Sequence, residues 1–114
     1  MTLKEFAADY YLHDSFIEKL IYDSSNAVLT LVINFAFWMQ KDFVEGEAEN
    51  GLIEVAFYNV VSYECSGGDP AGVSVSILNA VADEDSIAIS LLDDENDVYI
   101  EMKISSTAVD VRRL

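Results

Sequence analysis

The pattern of apolar residues changes from helical to alternating within the first twenty positions of the chain. Apolar residues recur at helical spacing from Leu3 to Tyr10. Thr2 stands three residues before Glu5, the spacing of a capping box, in which each side chain bonds a backbone amide of the first turn. This part of the sequence predicts a short helix that ends near Tyr11. From position 16 onward apolar and polar residues alternate, which is typical of β-strands.

Alternation predicts six or seven strands, the last of them a short edge strand. The predicted strands are 16–22, 27–38, 51–65, 73–81, 86–92, 98–104 and 107–112. Two hairpins turn at 23–26 and at the acidic tip 93–97, while loop 39–50 and the glycine-rich break 66–72 separate the middle strands. The sequence therefore predicts a mainly β (α+β) fold, in which a short N-terminal helix precedes antiparallel strands in a small sandwich or a strongly curved sheet.

Composition predicts a single domain that spans residues 1–114. A chain of 114 residues suits one domain, and one proline and five glycines provide no linker and no evident repeat. Hydrophobic residues make up 52% of the chain, which excludes a disordered protein. The chain has one cysteine, no apolar run of about 18 residues, and acidic residues where a signal peptide would be basic. We therefore expect a cytoplasmic protein.

The net charge restricts the classes of partner. Asp and Glu number 21 against 6 Lys and Arg, which gives a net charge of −15 at pH 7. Binding to nucleic acid needs clustered Lys and Arg, and an anionic membrane surface repels a chain of this charge. We therefore expect no nucleic acid and no membrane as partner, and a basic protein is the partner that the charge favours.

No motif of the chain predicts catalysis, a metal site or a cofactor. His13 beside Asp14 suggests a metal-dependent phosphohydrolase, but the chain has no second histidine to complete the ligands. Cys65 and His13 lack any local signature of a nucleophile and its base. The tip 93–97 resembles the start of an EF-hand loop but lacks its glycine and its flanking helices. We therefore predict no catalytic residue and expect a protein that is not an enzyme.

The distribution of acids along the chain fits either a binding surface or a charged surface that only keeps the protein soluble. In a simple meander, alternate loops lie at the same end of the sheet, so loop 39–50 and turn 83–85 are expected to share one rim. The carboxylates of this predicted acidic rim are Asp42, Glu45, Glu47, Glu49, Asp83, Glu84 and Asp85. Because interfaces favour aromatic residues inside a polar rim, three side chains are predicted as anchors: Trp38, Phe43 and Tyr58.

Residues 11–38 resemble the opening of a group of small uncharacterised bacterial proteins. The residues that carry the resemblance are His13-Asp14-Ser15, Ile17, Tyr22-Asp23 and the alternating Leu29, Leu31 and Ile33. Some relatives of this group are regarded as immunity proteins of polymorphic toxin systems, which bind and neutralise a cognate toxin. The resemblance implies a bacterial β-rich domain and makes a toxin one candidate for the basic partner.

Three functional hypotheses follow from the sequence. The first is a non-enzymatic acidic binding protein, an immunity-type inhibitor of a basic partner such as a toxin. The second is a module that binds a small molecule or a divalent ion in a pocket near Tyr10, Tyr11 and His13. The third is a structural subunit that forms a homodimer through the outer faces of its strands.

Overall fold

The N-terminal helix forms where the capping box predicts it. A computed structural model describes residues 1–71 and 75–114, and helix α1 spans Leu3–Asp9. The Glu5 N–H donates to Thr2 Oγ1 at 3.0 Å, and the Thr2 N–H donates to Glu5 Oε1 at 2.9 Å. The capping box is therefore confirmed. The helix ends earlier than predicted, because Tyr10 already has extended backbone angles and serves as the C-terminal cap.

The described residues form one antiparallel sheet of eight strands, so the mainly β prediction is confirmed. The strands are β1 (Phe16–Asp23), β2 (Val28–Ala36), β3 (Asn50–Tyr58), β4 (Ser62–Ser66), β5 (Val75–Ala82), β6 (Ser86–Asp93), β7 (Val98–Ser105) and β8 (Ala108–Arg113). Their order across the sheet is β4-β7-β6-β5-β1-β2-β3-β8. Residue 72 of the predicted break, and residues 73–74 at the start of predicted strand 73–81, lie outside the described residues.

The predicted strand 51–65 is wrong, because the chain leaves the strand after Tyr58. Asn59 has φ of 53°, in the left-handed region that interrupts an extended chain. The chain then turns away from β3, and β4 pairs with β7 instead. Alternation continues on both sides of Asn59, so the pattern of apolar residues conceals the change of direction. This break accounts for the eighth strand.

The sheet is bent so that two strands far apart in its order meet at their ends. Five strand spacings separate β3 from β7, which is roughly 24 Å in a flat sheet. Yet the Val61 N–H donates to Ser105 O at 2.9 Å, and the Thr107 N–H donates to Tyr58 O at 3.3 Å. We place the bend between β1 and β5, where the strand pairing among the described residues is short and joins Phe16 with Ser76 and Ile17 with Val75.

The bend divides the sheet into two equivalent halves that exchange their fourth strands. β1, β2 and β3 form one meander, and β5, β6 and β7 form the other. The first half is completed by β8, which follows β7 in the chain, and the second half is completed by β4, which follows β3. The architecture therefore repeats, although no repeat is evident in the sequence.

Matching details support this internal repeat. A register shift follows Ile17 in β1 and Ile77 in β5. β1 ends in Asp23 and β5 is followed directly by Asp83, and each of these carboxylates accepts two backbone N–H groups of the next turn. Such Asx turns are formed by local hydrogen bonds alone.

The inner face of the bent sheet forms one hydrophobic core, and α1 closes it. Alternate residues of β2 and β6 are fully buried, including Leu31 and Ile89. Phe6 of the helix meets Phe57 of β3 edge to face at 5.9 Å, and Tyr10 lies 5.8 Å from Phe35. The helix thus packs on the inner face and brings its C-terminal end to the start of the β2–β3 connection.

Candidate binding cleft

A cleft of about 430 Å³ opens between the end of α1, the start of β3, the end of β8 and the connection between β2 and β3. We call this connection, residues 37–49, the cleft loop. It begins with a 3-10 turn at Phe37–Met39, and the Trp38 N–H donates to Glu49 O at 3.1 Å across its base. This bond holds the two ends of the loop together where they leave the sheet.

The cleft loop is the place where the two halves of the sheet differ most. In the second half, the equivalent connection between β6 and β7 is a tight turn between Asp93 and Val98. Thirteen residues replace that turn in the first half. Long connections on a compact sheet are frequently functional, because the scaffold does not require them. The comparison between halves therefore marks the cleft loop as the candidate functional element.

Gln40 fastens the cleft loop to the end of the helix. Its Nε2 donates to Tyr11 O at 2.9 Å and to Ala36 O at 3.0 Å, while its Oε1 accepts the Tyr11 N–H at 2.9 Å. The amide of this side chain therefore bonds both the loop's own origin and the segment that follows α1. Sequence reasoning missed Gln40, because a single glutamine in a polar loop has no recognisable spacing.

Aromatic rings form the floor of the cleft. Tyr10, Phe35, Phe37 and Phe43 line it, and the rings of Phe35 and Phe37 meet edge to face at 5.4 Å. Phe37 lies directly over β3 because Gly51 has no side chain. A Cβ at Gly51 would stand 2.6 Å from Cε2 of the Phe37 ring.

Charged groups line the cleft above this floor, and most are acidic. The carboxylates are those of Asp9, Asp42 and Glu47, and among the described residues lining the cleft Arg113 is the basic one. The Arg113 guanidinium carbon lies 4.4 Å from the centroid of the Phe37 ring, within the range of a cation–π contact. Excess carboxylate in a concave surface concentrates negative potential and attracts cations.

The structure separates the two groups of predicted rim carboxylates. All seven are exposed, but turn 83–85 lies beside Ser106, whose N–H donates to Asp85 O at 3.1 Å. Ser106 Oγ in turn bonds Tyr58 O, at the far end of β3 from the cleft loop. Nine residues of strand, roughly 26 Å, lie between the two ends. The expected single rim does not form, because the bend brings turn 83–85 to the opposite end of β3.

Two of the three predicted anchors belong to the cleft loop. Phe43 lines the cleft, and Trp38 is 47% exposed at the start of the loop. Tyr58 is 37% exposed but lies at the other end of β3, where its carbonyl accepts the Thr107 N–H from the connection between β7 and β8. Of the three predicted anchors, Trp38 and Phe43 therefore lie in the same loop as the acids of the cleft.

The predicted pocket near Tyr10, Tyr11 and His13 is divided by the structure. Tyr10 lines the cleft, whereas Tyr11 contributes the backbone groups that Gln40 bonds. His13 does not line the cleft, and its Nδ1 lies 2.8 Å from Leu78 O of β5. Its Nε2 is 3.5 Å from Asp14 Oδ1, in a corner between helix and strand. His13 thus acts at the junction of β1 and β5 rather than in the cleft.

The acidic tip 93–97 uses its leading carboxylate for its own structure. Asp93 is only 6% exposed, and it accepts the N–H groups of Glu95 and Asn96 and the side-chain amide of Asn96. The Asn96 amide is the largest cause of the lowered pKa of Asp93. The same arrangement recurs at Asp23, so the tip is a structural turn. Within residues 1–71 and 75–114, no three His, Cys, Asp or Glu side chains are grouped so as to hold a metal ion.

Cys65 lies in a setting that disfavours its thiolate. Its Sγ donates to the Tyr63 hydroxyl at 3.1 Å, on edge strand β4. Burial raises the pKa of the Cys65 thiol above its ordinary value, and the nearby Asp69 adds to the rise. A reactive cysteine needs a lowered pKa, which usually comes from a neighbouring cation or a helix N-terminus. His13, at the junction of β1 and β5, is not among its hydrogen-bond partners.

Comparison with protein families, with curated proteins and with solved structures finds no match to this chain. The resemblance of residues 11–38 to immunity proteins therefore remains a prediction. The described residues include no helix with the length and apolar character needed to cross a bilayer.

Proposed function

We propose that the protein is a non-enzymatic binding protein that captures a basic protein partner at the cleft, in the manner of an immunity-type inhibitor. The observation that carries the proposal is the position of Arg113 over Phe37, in a cleft that Asp42 and Glu47 also line. The aromatic floor and acidic wall already accommodate one guanidinium from the chain itself. A partner that presents Arg or Lys offers the same chemistry.

The charge of the whole chain supports this proposal. A net charge of −15 accelerates the encounter with a basic partner and repels acidic ones. The cleft then supplies what charge alone does not, namely aromatic surface that excludes water beneath the cation. An exposed cation–π contact is worth about 0.5–1 kcal/mol, and more when water is displaced.

The test compares three forms of the protein as bait in a lysate of the source organism, each eluted with a salt gradient. One variant carries Asp42→Lys and Glu47→Lys in the cleft loop. The matched control carries Glu84→Lys and Asp85→Lys, which changes the net charge equally but lies at the opposite end of β3. A basic protein that binds the wild type and the control, but not the cleft variant, is the expected result.

If both variants lose the partner to the same extent, net charge alone accounts for the interaction, and this result would contradict a role for the cleft. Equal retention by both would remove the acidic contact altogether. Because exposed ionic contacts weaken as the Debye length shortens, from about 10 Å at 0.1 M salt to 3 Å at 1 M, elution at moderate salt is part of the expectation. Circular dichroism of each bait confirms that it is folded.

The volume of the cleft favours a small cationic molecule as the second candidate ligand. Small-molecule sites measure about 300–1,000 Å³, and this cleft has about 430 Å³ with four aromatic residues in its lining. Free arginine and agmatine are suitable probes, since both carry a guanidinium group like that of Arg113, which contacts the Phe37 ring. A rise in melting temperature with the wild type, lost with Asp42→Lys and Glu47→Lys, would support this candidate through preferential binding to the folded state.

A further inference from the structure

The edge of β8 that does not pair with β3 borders the cleft. Leu114, just after β8, donates its N–H to Leu52 O of β3 at 3.0 Å. Because backbone groups alternate along an antiparallel strand, the even-numbered residues of β8 bond β3 and the odd-numbered ones direct their N–H and C=O groups outward. Val109 obeys this rule, since its N–H donates to Met1 O at 3.0 Å on the outer side.

The next outward-directed residues, Val111 and Arg113, line the cleft. The alternation gives this stretch of edge two N–H groups and two C=O groups that point away from β3, next to the opening of the cleft. Edge groups of this kind are a template for pairing with another extended chain. Met1 already pairs in this way with Val109, which lies two residues before Val111 on the same edge.

The side chains at this edge select for charge. Arg112 faces the outer side of the sheet, where its Nη2 lies 3.0 Å from Glu54 Oε1. Arg113 lines the cleft, and its guanidinium lies over the Phe37 ring. A strand laid against β8 would direct every second side chain into the cleft, where Asp9, Asp42 and Glu47 favour a cation.

We propose that the partner's contact is an extended basic segment that adds a strand to the edge of β8 at Val111 and Arg113, with an Arg or Lys side chain placed in the cleft. This inference rests on the proposed function and deepens it, because it names the form of the partner. The backbone pairing provides the orientation, and the cleft provides the preference for a basic residue at alternate positions. The incoming cation competes with Arg113 for the face of Phe37.

The probe is an acetylated and amidated octapeptide of alternating Thr and Arg, added to the isotope-labelled full chain and followed by amide chemical shifts. Two further peptides carry N-methyl groups on alternate amides, on the Thr positions in one and on the Arg positions in the other. Both keep the same charge, but each blocks only one edge of the peptide strand. If strand pairing occurs, one methylated peptide binds like the parent and the other binds about tenfold more weakly or worse.

A pair of protein variants tests the same edge from the other side. Val111→Pro removes an outward N–H, a change that edge strands tolerate, whereas the matched Val111→Ala keeps this N–H and also shortens the side chain. We expect the proline variant to bind the parent peptide about tenfold more weakly than the alanine variant. The peptide comparison uses the wild-type protein, so it decides the question even if Val111→Pro fails to fold.

Three results would overturn the strand pairing: no binding of the Thr-Arg peptide, equal binding of the two methylated peptides, or shift changes centred away from β8. If the bait experiment still separates the cleft variant from its control, the proposed function stands and the strand pairing alone is refuted. If Asp42→Lys and Glu47→Lys change neither capture nor peptide affinity, the cleft is not the site and both proposals fail.

Discussion

Replacing Gln40 by methionine tests whether a single side chain holds the cleft loop in place. Methionine has a similar volume but forms none of the three hydrogen bonds that Gln40 makes with Tyr11 and Ala36. A net hydrogen bond contributes about 0.5–1.5 kcal/mol. Because Tyr11 is exposed, its freed groups can bind water and its two bonds count at the low end of that range, whereas Ala36 is buried and the bond to its carbonyl counts in the upper half, which gives a loss of about 2 kcal/mol in total.

The assays are thermal unfolding, urea unfolding and hydrogen exchange at the Tyr11 amide. For a domain of this size each kcal/mol corresponds to about 3–6 °C in melting temperature, so a decrease of about 6–12 °C is expected. The Tyr11 amide, which donates to Gln40 Oε1, should exchange much faster. Lys41→Met, at the next and exposed residue of the loop, is the control and should change stability by less than about 0.5 kcal/mol. A Gln40→Met protein with unchanged stability and Tyr11 protection would refute the anchoring role.

Three further outcomes are expected. Gly67→Ala should destabilise the fold by about 1–3 kcal/mol or more, because Gly67 has φ of 90° and its new Cβ would lie against Tyr99 O; Gly46→Ala, with φ of 100° and open space around it, should cost less in the same urea titration. Asp93→Asn should destabilise at neutral pH. Since hydrogen bonds lower the folded-state pKa of Asp93, its stabilising contribution is present above the unfolded pKa of about 3.9 and is lost as the pH falls through the folded value, so the two proteins should converge in acid. Cys65 should react with a thiol reagent at pH 7 more slowly than an unstructured cysteine peptide, and a faster rate would contradict the raised pKa.

Local features of the fold could be predicted from the sequence, and long-range ones could not. The capping box at Thr2 and Glu5 and the hairpin turn at Asp23 depend on residues within three or four positions of each other, so their spacing is visible in the chain. Alternation identifies which face of a strand is buried but does not name its neighbour. The pairing of β4 with β7 therefore had no signal, and the break at Asn59 was hidden in continuous alternation.

The same limit applies to the candidate site. The acids of the cleft loop were found because they cluster in the sequence. Two lining residues come from opposite ends of the chain: Tyr10 of the floor follows α1, and the cation Arg113 ends β8. Only the fold brings them together. Arg113 is one of two adjacent arginines in a chain with 6 basic residues, and this adjacency was a sequence signal for the cation of the cleft.

The exchange of fourth strands between the two halves has a consequence for how the protein folds. Neither half of the sheet can be complete until nearly the whole chain is present, because β4 pairs with β7 and β3 pairs with β8, and both partners come late in the chain. The ion pair between Glu54 and Arg112 already joins residues 58 positions apart. Closing such long loops costs entropy before the stabilising contacts form, so folding is expected to be slow and to take place late in synthesis. The same exchange of strands couples the halves, so we expect them to unfold as one cooperative unit.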